Sequence, residues 1–533
     1  MIPTPPDYTP ALIVAIPLLG AFLTPLVSRI NDKLRNIFVL AILGITGILV
    51  FLLAYNIFIY GGIHTYVFGA KDLSLPVVRI LFEVDAMSVF MAAIAIILSG
   101  VAVIYSWAFM KENTGLDKFY TLVLLMVAGT LGMVLTGDMF NFFVFLEITS
   151  IASCALIAFW THKGESVEAA FKYIVISSIG ALFVLFAIGI FYAQYNALNI
   201  AVIASSLQYT FLDKVALVLL IAALAMKAGI VPMHMWLPDS YGRAPAPVTV
   251  MLVGATLGSL YGVLRVTFTL YGNTLELVVK EIFNSKILVT NTIGWSILVL
   301  AICSIIIGVM MALRQTDFKR LISFAAVAEI GYMFLGIGTK LASVGYNSTG
   351  TIIHPQHGIT ALEGGIFHIF NDALDVGLLF LVAGAIYYAT KERSLDKLGG
   401  LARNMKYTTI FFIIGMLAVA GMPPFNGFAS KLLIYESTYA ANPIIAIMAV
   451  LSSIMLLAVF VKVLHSVFLG PALPKFKGVK EVPKSMLFAM GILATIIIMF
   501  GLFPDMVITY IVEPATDALI NYNGYITSAL GGI

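Results

Sequence analysis

The chain has 533 residues, of which 61% are hydrophobic and 11% charged, with a mean hydropathy of +1.03. Soluble globular chains carry roughly 45–50% apolar and about 25% charged residues, so a soluble domain is excluded. Thirty basic and 27 acidic residues leave a net charge of +3 with no basic tail, which excludes a nucleic-acid partner recruited by bulk charge. The two cysteines, Cys154 and Cys303, lie in apolar runs without a CxxC spacing and cannot hold an iron–sulfur cluster. Any redox centre must therefore sit on another chain, and the protein is predicted to be all-α and polytopic in a membrane.

A membrane-spanning helix needs about 20 mostly apolar residues. That length predicts fourteen spans, at 9–28, 36–60, 85–109, 119–137, 139–160, 168–193, 211–231, 246–271, 288–312, 319–338, 361–387, 409–435, 443–469 and 484–509. The flank of the first carries Asp7 and no Lys or Arg, so it reads as a retained span rather than a signal peptide. Between the second and third spans, residues 61–84 are too polar to cross. Thr65 to Phe68, a turn over Gly69 to Asp72, and Val77 to Phe82 predict an external hairpin.

With the N-terminus outside, the inner loops hold 19 Lys and Arg and the outer loops six: Lys71, Arg79, Lys214, Lys280, Lys286 and Lys340. This obeys the positive-inside rule, places both termini outside and predicts a multi-pass protein of the cell membrane. No linker interrupts the chain, so residues 1–533 are expected to form one integral domain.

Within or at the rims of the spans stand Lys172, Lys227, Arg265, Lys431, Lys462, Glu147, Glu329, Asp372 and Asp375. A charge near the bilayer centre costs about 2.5–3.5 kcal/mol on insertion scales, so each must face the bundle interior or have a partner. Helix packing or snorkelling accounts for Lys172, Arg265 and Lys462. Glu147 and Lys227 lie too deep in their runs for that. Lys227 precedes Gly229 and Pro232, which break the seventh span at membrane depth, and the twelfth repeats the pattern in Gly421, Pro423, Pro424, Gly427 and Lys431. Broken helices of this kind mark ion sites in transporters. Two of them five spans apart predict five-helix repeats, about 119–271 and 288–469, and an odd number of spans per repeat makes the copies inverted.

In the eleventh span His368, Asn371, Asp372 and Asp375 recur at i, i+3, i+4 and i+7, one face of a helix able to carry protons or cations. His354 and His357 sit in a polar outer loop without a nearby thiol and are read as solvated rather than metal-binding. No dinucleotide, phosphate-loop or nucleophile-elbow motif is present.

Gly137 to Glu147, Met226-Lys227-Ala228 with Val231 to Asp239, Gln315 to Ser323, and Gly421 to Lys431 resemble motifs of the antiporter-like subunit family. That family comprises the proton-pumping membrane subunits of respiratory complex I, the A and D subunits of Mrp cation/proton antiporters, and their counterparts in membrane-bound hydrogenases. The resemblance runs from the third to the thirteenth span. It implies a lateral proton path at mid-membrane in which Glu147 pairs with Lys227, and Lys431 is the terminal group from which the proton exits. The path also takes in His234, Glu329, His368, Asp372 and Asp375. The sequence departs from the family pattern at Leu257 and Val376, where lysines are usual, and at Glu329, where a histidine or neutral polar group is usual. Acidic groups thus replace basic ones in the middle, which points to a carboxylate relay, to sodium, or to an interrupted path.

The wording around Glu147, Phe145 to Ser153, is similar to the Mrp D and hydrogenase branch. The resemblance therefore implies an ion-translocating subunit of a hydrogenase-type respiratory complex, with protons, or sodium in their place, as cargo. The alternatives are a D-type Mrp subunit or a complex I-type pump subunit. No cofactor is expected on this chain. Nickel–iron and iron–sulfur centres would belong to partner chains in a peripheral redox arm, and the other implied partners are further antiporter-like subunits and the lipid bilayer.

Overall fold

The computed structural model describes residues 5–69, 80–273, 279–282, 285–346 and 352–531. The chain opens with α1 (Thr9–Ser28) and α2 (Asp32–Tyr60), then β1 (His64–Phe68) and β2 (Ile80–Val84). Next come α3 (Ala86–Phe109), α4 (Leu116–Leu135), α5 (Met139–Ile157), α6 (Gly164–Tyr195) and the short α7 (Ile200–Ser206). They are followed by α8 (Phe211–Ala228), α9 (Trp236–Arg243) and α10 (Ala246–Leu264), which a π-helical turn prolongs over Arg265–Leu270. A second ribbon, β3 (Val279–Ile282) with β4 (Ser285–Leu288), leads into α11 (Val289–Arg314) and α12 (Phe318–Ala342). After a third small ribbon, β5 (Gly345–Tyr346) with β6 (Ile352–Ile353), come α13 (Gln356–Thr390), α14 (Lys406–Val419), α15 (Asn426–Ala441) and α16 (Pro443–Val463). The chain closes with α17 (Lys484–Leu502), α18 (Pro504–Val507), α19 (Glu513–Ile520) and α20 (Tyr522–Gly531).

Among the described residues twelve helices are long and apolar enough to cross a membrane, which makes this an all-α, multi-pass membrane protein. Two of the fourteen expected spans have no such single helix. The seventh, α8, carries Asp213, Lys214 and Lys227 within 18 residues. The twelfth is divided between α14 and α15, of 14 and 16 residues. The apolar stretches of α12 and α13 are wholly buried and form the centre, whereas only 28% of the apolar stretch of α2 is covered. An apolar helix left bare on most of its surface meets lipid, not water.

Polar residues set the helix starts. Asp85 caps α3 by accepting from the Ser88 amide at 2.9 Å, and Asp138 caps α5 through the Asn141 amide at 2.7 Å. Thr210 and Asp213 form a reciprocal capping box at α8, and Asp317 receives the Lys319 and Arg320 amides at α12. β1 and β2 pair antiparallel with Thr65 opposite Glu83. The expected turn beyond Gly69 and the expected strand start at Val77 lie outside the described residues, as do Lys71 and Arg79.

Candidate ion-translocation site

Two lysine centres lie where helices are interrupted. In the first, α8 ends because Gly229 adopts φ +81, a conformation only glycine takes freely, and the chain then turns through Val231-Pro232. Ile230, Val231 and His234 of this turn are buried, so the backbone groups there must be satisfied by protein. The indole of Trp236 donates to the Met226 carbonyl at 3.0 Å, and the Val231 amide donates to Ser304 Oγ on α11 at 2.9 Å. Lys227, in the last turn of α8, is 6% exposed. Its Nζ donates to Ser150 Oγ at 2.9 Å and lies 3.5 Å from Glu147 Oε1, while Ser177 Oγ donates to Ser150 at 2.9 Å. The ammonium opens on a small pocket bounded by Ser150, Tyr173, Ser177, Trp236, Thr256 and Ser259. Glu147 is half-buried, so the partners of this pair differ in their access to the surroundings.

In the second centre α14 stops at Val419, Gly421 takes φ +71, and α15 begins at Asn426. Lys431 Nζ donates to the Val419 carbonyl, freed by the interruption, at 2.7 Å, and to Glu329 Oε1 on α12 at 2.9 Å. The other carboxylate oxygen, Glu329 Oε2, lies 2.9 Å from His368 Nε2 on α13, and the Tyr332 ring centre lies 4.3 Å from the ammonium. All three ionisable side chains are fully buried. A buried charge left unpaired is strongly destabilising, so lysine, glutamate and histidine hold one another in place.

From His368 a hydrogen-bonded series continues along α13 and α15. His368 Nδ1 is 3.1 Å from Ser430 Oγ, which accepts from Asn371 Nδ2 at 2.9 Å. Asn426 Nδ2 donates to Asn371 Oδ1 and to Asp375 Oδ1, both at 3.0 Å. Of the four residues expected on one face, His368, Asn371 and Asp375 thus join one network. Asp372 is buried with its Oδ1 unpaired, within electrostatic reach of Glu329 and Asp375 on one side and of Tyr241 on the other. His234 is buried in the turn after α8 and hydrogen-bonds to none of the other candidates.

Between the centres Leu257 and Val376 are buried and apolar, and the polar groups there are hydroxyls: Tyr241 and Thr256 meet at 2.6 Å. Lys319, which its loop position marks as an inner-rim charge, instead turns inward and donates to the Ala244 carbonyl at 2.5 Å and to Thr249 Oγ1 at 2.7 Å. Sequence reasoning passed over Ser150, Tyr241, Thr256, Lys319, Asn426 and Ser430. Only Ser150, one turn after Glu147, and Asn426 and Ser430, spaced i and i+4 beside Lys431, carried a periodic signal. Lys172 is an exposed rim pair with Glu168 and Asp239, and Lys462 reaches the Leu313 carbonyl at the surface, both as expected of packing residues. Among the described residues no group of three or more His, Cys, Asp or Glu is arranged to hold a metal ion.

Residues 136–456, which contain both centres, match the family described as NADH:quinone oxidoreductase/Mrp antiporter, transmembrane. The chain belongs to this family. Residues 75–120 match the complex I chain 5 N-terminus. The NADH-quinone oxidoreductase subunit N of Desulforudis audaxviator is 30% identical over 528 residues, covering 95% of this chain and 98% of that one. The A-type subunit of the Na(+)/H(+) antiporter of Alkalihalophilus pseudofirmus is 29% identical over 456 residues, which cover 82% of this chain but only 54% of that longer protein. Among solved structures, a chain of the Mrp complex from Dietzia sp. DQ12-45-1b superposes with a TM-score of 0.83 at 24% identity, over 98% of this chain and 99% of that one. A chain of the membrane-bound sulfane sulfur reductase, an archaeal respiratory membrane complex, does so at 0.82 with 25% identity, over 98% and 99%.

Proposed function

We propose that the chain moves protons, or sodium in their place, through a mid-membrane row formed by Glu147, Lys227, His234, Glu329, His368, Asp372, Asp375 and Lys431. It would do so as an antiporter-like subunit of a hydrogenase-type respiratory complex. The observation that carries this is the pair of buried lysines, each next to a carboxylate at an interrupted helix. An ion-pumping residue must bind and release its charge within the range of the driving force, and one charge crossing 100 mV takes about 2.3 kcal/mol. Changing the Lys227–Glu147 separation from 3.5 Å to roughly twice that alters their attraction by about 2 kcal/mol at an effective dielectric of about 20. The two energies match. A scaffold subunit would have no need of such groups, and an organic-solute carrier would need a recognition pocket rather than a row of ionisable side chains.

In this reading α8 and the α14–α15 pair also cross, giving fourteen spans, and 119–271 and 288–469 are inverted repeats within one membrane domain. The matching glycines after α8 and α14 support this, and the loop charges support both termini outside. The likeness to the sulfane sulfur reductase chain supports a respiratory assembly with further membrane subunits and a peripheral redox arm. The likeness to the Mrp chain supports the second reading, a D-type subunit of a multisubunit cation/proton antiporter.

Two measurements test the proposal. Lys227→Ala should abolish proton movement in vesicles carrying the assembled complex, while Lys172→Ala, at the exposed rim, should leave it intact; unchanged movement in Lys227→Ala would leave a scaffold role only. Metal content of the complex isolated in mild detergent decides the assembly. Nickel with iron places the chain in a hydrogenase, and iron alone in a sulfur- or quinone-reducing relative. An intact assembly without metal sinks the redox-driven reading in favour of the antiporter.

A further inference from the structure

The end of the bundle that carries the hairpin holds a third buried ionisable cluster, separate from both lysine centres. Three stretches distant in sequence build it, the first supplying two acids. β2 delivers Glu83, the turn into α3 delivers Asp85, the end of α10 delivers Arg265, and α20, packed on α7 and the π-helical turn, delivers Tyr525. Asp85 Oδ1 caps α3 and also takes the ion pair with Arg265 Nη2. Three more of its five N–H groups go to Tyr261 OH at 2.8 Å, Ser88 Oγ at 3.1 Å and Thr269 Oγ1 at 3.3 Å. The Tyr261 and Tyr525 rings lie 5.1 and 4.8 Å from Cζ. Arg265 is therefore not a rim charge that snorkels outward but a buried one held by an ion pair and three hydroxyls.

Glu83 is what this arrangement leaves over. It is 0% exposed, and among the described residues none gives a well-formed hydrogen bond to either of its carboxyl oxygens or to Asp85 Oδ2. Among the described residues, the titratable and charged groups that face it are Arg265, Asp85 and Tyr525. From β1 its cross-strand neighbour is Thr65, and from the end of α4 the Gly137 backbone closes over it. Two carboxyls thus share one guanidinium in a site closed to solvent, and the guanidinium belongs to Asp85. An ionised carboxylate without firm donors is the costly state of such a site, and a protonated one is the favoured state. Burial, with Asp85 adding to it and Arg265 and the Tyr525 hydroxyl opposing, pushes the Glu83 carboxyl well above the usual carboxylate range.

We propose that Glu83 carries an exchangeable proton and is a third protonatable station of the ion path, at the hairpin end of the first repeat, with the Asp85–Arg265 pair as its fixed counter-charge. The step is a plain proton transfer: Glu83 releases its proton toward the hairpin side, is left as carboxylate, and is reprotonated from the side of Lys227. A small pocket bounded by Phe142, Leu224, Tyr261 and Arg265 runs from the arginine of this cluster to Leu224, one turn before Lys227 on α8. A dry apolar gap conducts no proton until water enters it, which makes this stretch the place where the outward connection is gated. The station rests on the ion-path reading; the proton on Glu83 does not, and the two are tested apart.

The test is infrared difference spectroscopy on the full chain in its native membrane assembly, comparing wild type with Glu83→Gln at neutral pH, together with proton movement in vesicles. Expected are a protonated-carboxyl C=O band present in wild type and lost in Glu83→Gln, and transport slowed by at least about tenfold, because glutamine has no exchangeable proton to pass on. Glu83→Asp should keep both the band and the transport, which separates loss of the acid from loss of folding. Identical spectra for wild type and Glu83→Gln would mean that Glu83 is ionised and overturn the proposal. A band that disappears when sodium is added at constant pH would replace the proton by an alkali cation, and also overturns it. Loss of the band with transport at the wild-type rate would reduce Glu83 to a structural acid. Failure of the ion-path reading itself shows elsewhere, as unaltered transport in Lys227→Ala.

Discussion

Replacing Glu147 by glutamine removes the one carboxylate beside Lys227 while keeping the side chain's size. The two charges are 3.5 Å apart, which at an effective dielectric of about 20 is an attraction of about 5 kcal/mol. Because Glu147 is partly exposed, roughly half of that is the realistic loss, about 2–3 kcal/mol. At about 1.4 kcal/mol per factor of ten, the proton affinity of Lys227 changes about a hundredfold. That exceeds the roughly 2.3 kcal/mol that 100 mV supplies per charge only marginally, so transport should become very slow rather than vanish. The assay is dye-reported proton movement in inverted membrane vesicles, with the amount of assembled complex measured alongside. Glu147→Asp, which keeps the charge, should recover most of the rate. Wild-type transport in Glu147→Gln, at equal assembly, would refute the reasoning, because the lysine would then need no partner to cycle.

Further consequences concern the second centre and the loops. Asp375→Ala deletes the acceptor for one Asn426 N–H inside the bundle and should destabilise the protein by about 1–3 kcal/mol, read as a lower unfolding temperature in detergent, whereas Asp375→Asn keeps an acceptor oxygen and should cost little. In the loop after α13 the carboxyl of Glu392, although partly buried, is held below the usual carboxylate range by the Ser394 and Arg393 amides, with Lys475 3.8 Å away. A carboxyl with a depressed folded-state pKa stabilises above its unfolded value of about 4.3 and loses that contribution as pH falls through the folded value. Wild type should therefore unfold at a higher temperature than Glu392→Gln at neutral pH, and the gap should close in acid. A gap that widened in acid would reverse the assigned sign.

The spans were legible because apolar runs of this length have one physical explanation, and the lysines were legible because a charge inside such a run is conspicuous. Lys227 and Lys431 stand beside glycines whose positive φ ends their helices, so residue and interruption could be read together. Partnership was not legible. Nothing in the order of residues says that Lys431 pairs with Glu329, 102 positions earlier, or that His368 closes the group from a third helix. Lys319 reads as one of a run of inner-loop charges until the helix cap at Asp317 turns its side chain inward. Asp372 and Asp375 share a helical face by spacing, but only Asp375 hydrogen-bonds to α15, because the packing of α13 between neighbours on several sides separates residues one turn apart on that face. The Glu83 cluster was the least visible. Its acids sit at the foot of a hairpin, its arginine at a helix end, and its tyrosine in a helix beyond the last expected span.

The central claim is that the two lysine centres belong to one path in series. Lys227→Ala, Lys431→Ala and the double substitution, compared for proton movement at equal assembly, test it most directly. A series path predicts that each single change stops movement and that the double is no worse than either. Substantial transport in either single variant, or losses that multiply in the double, would contradict it.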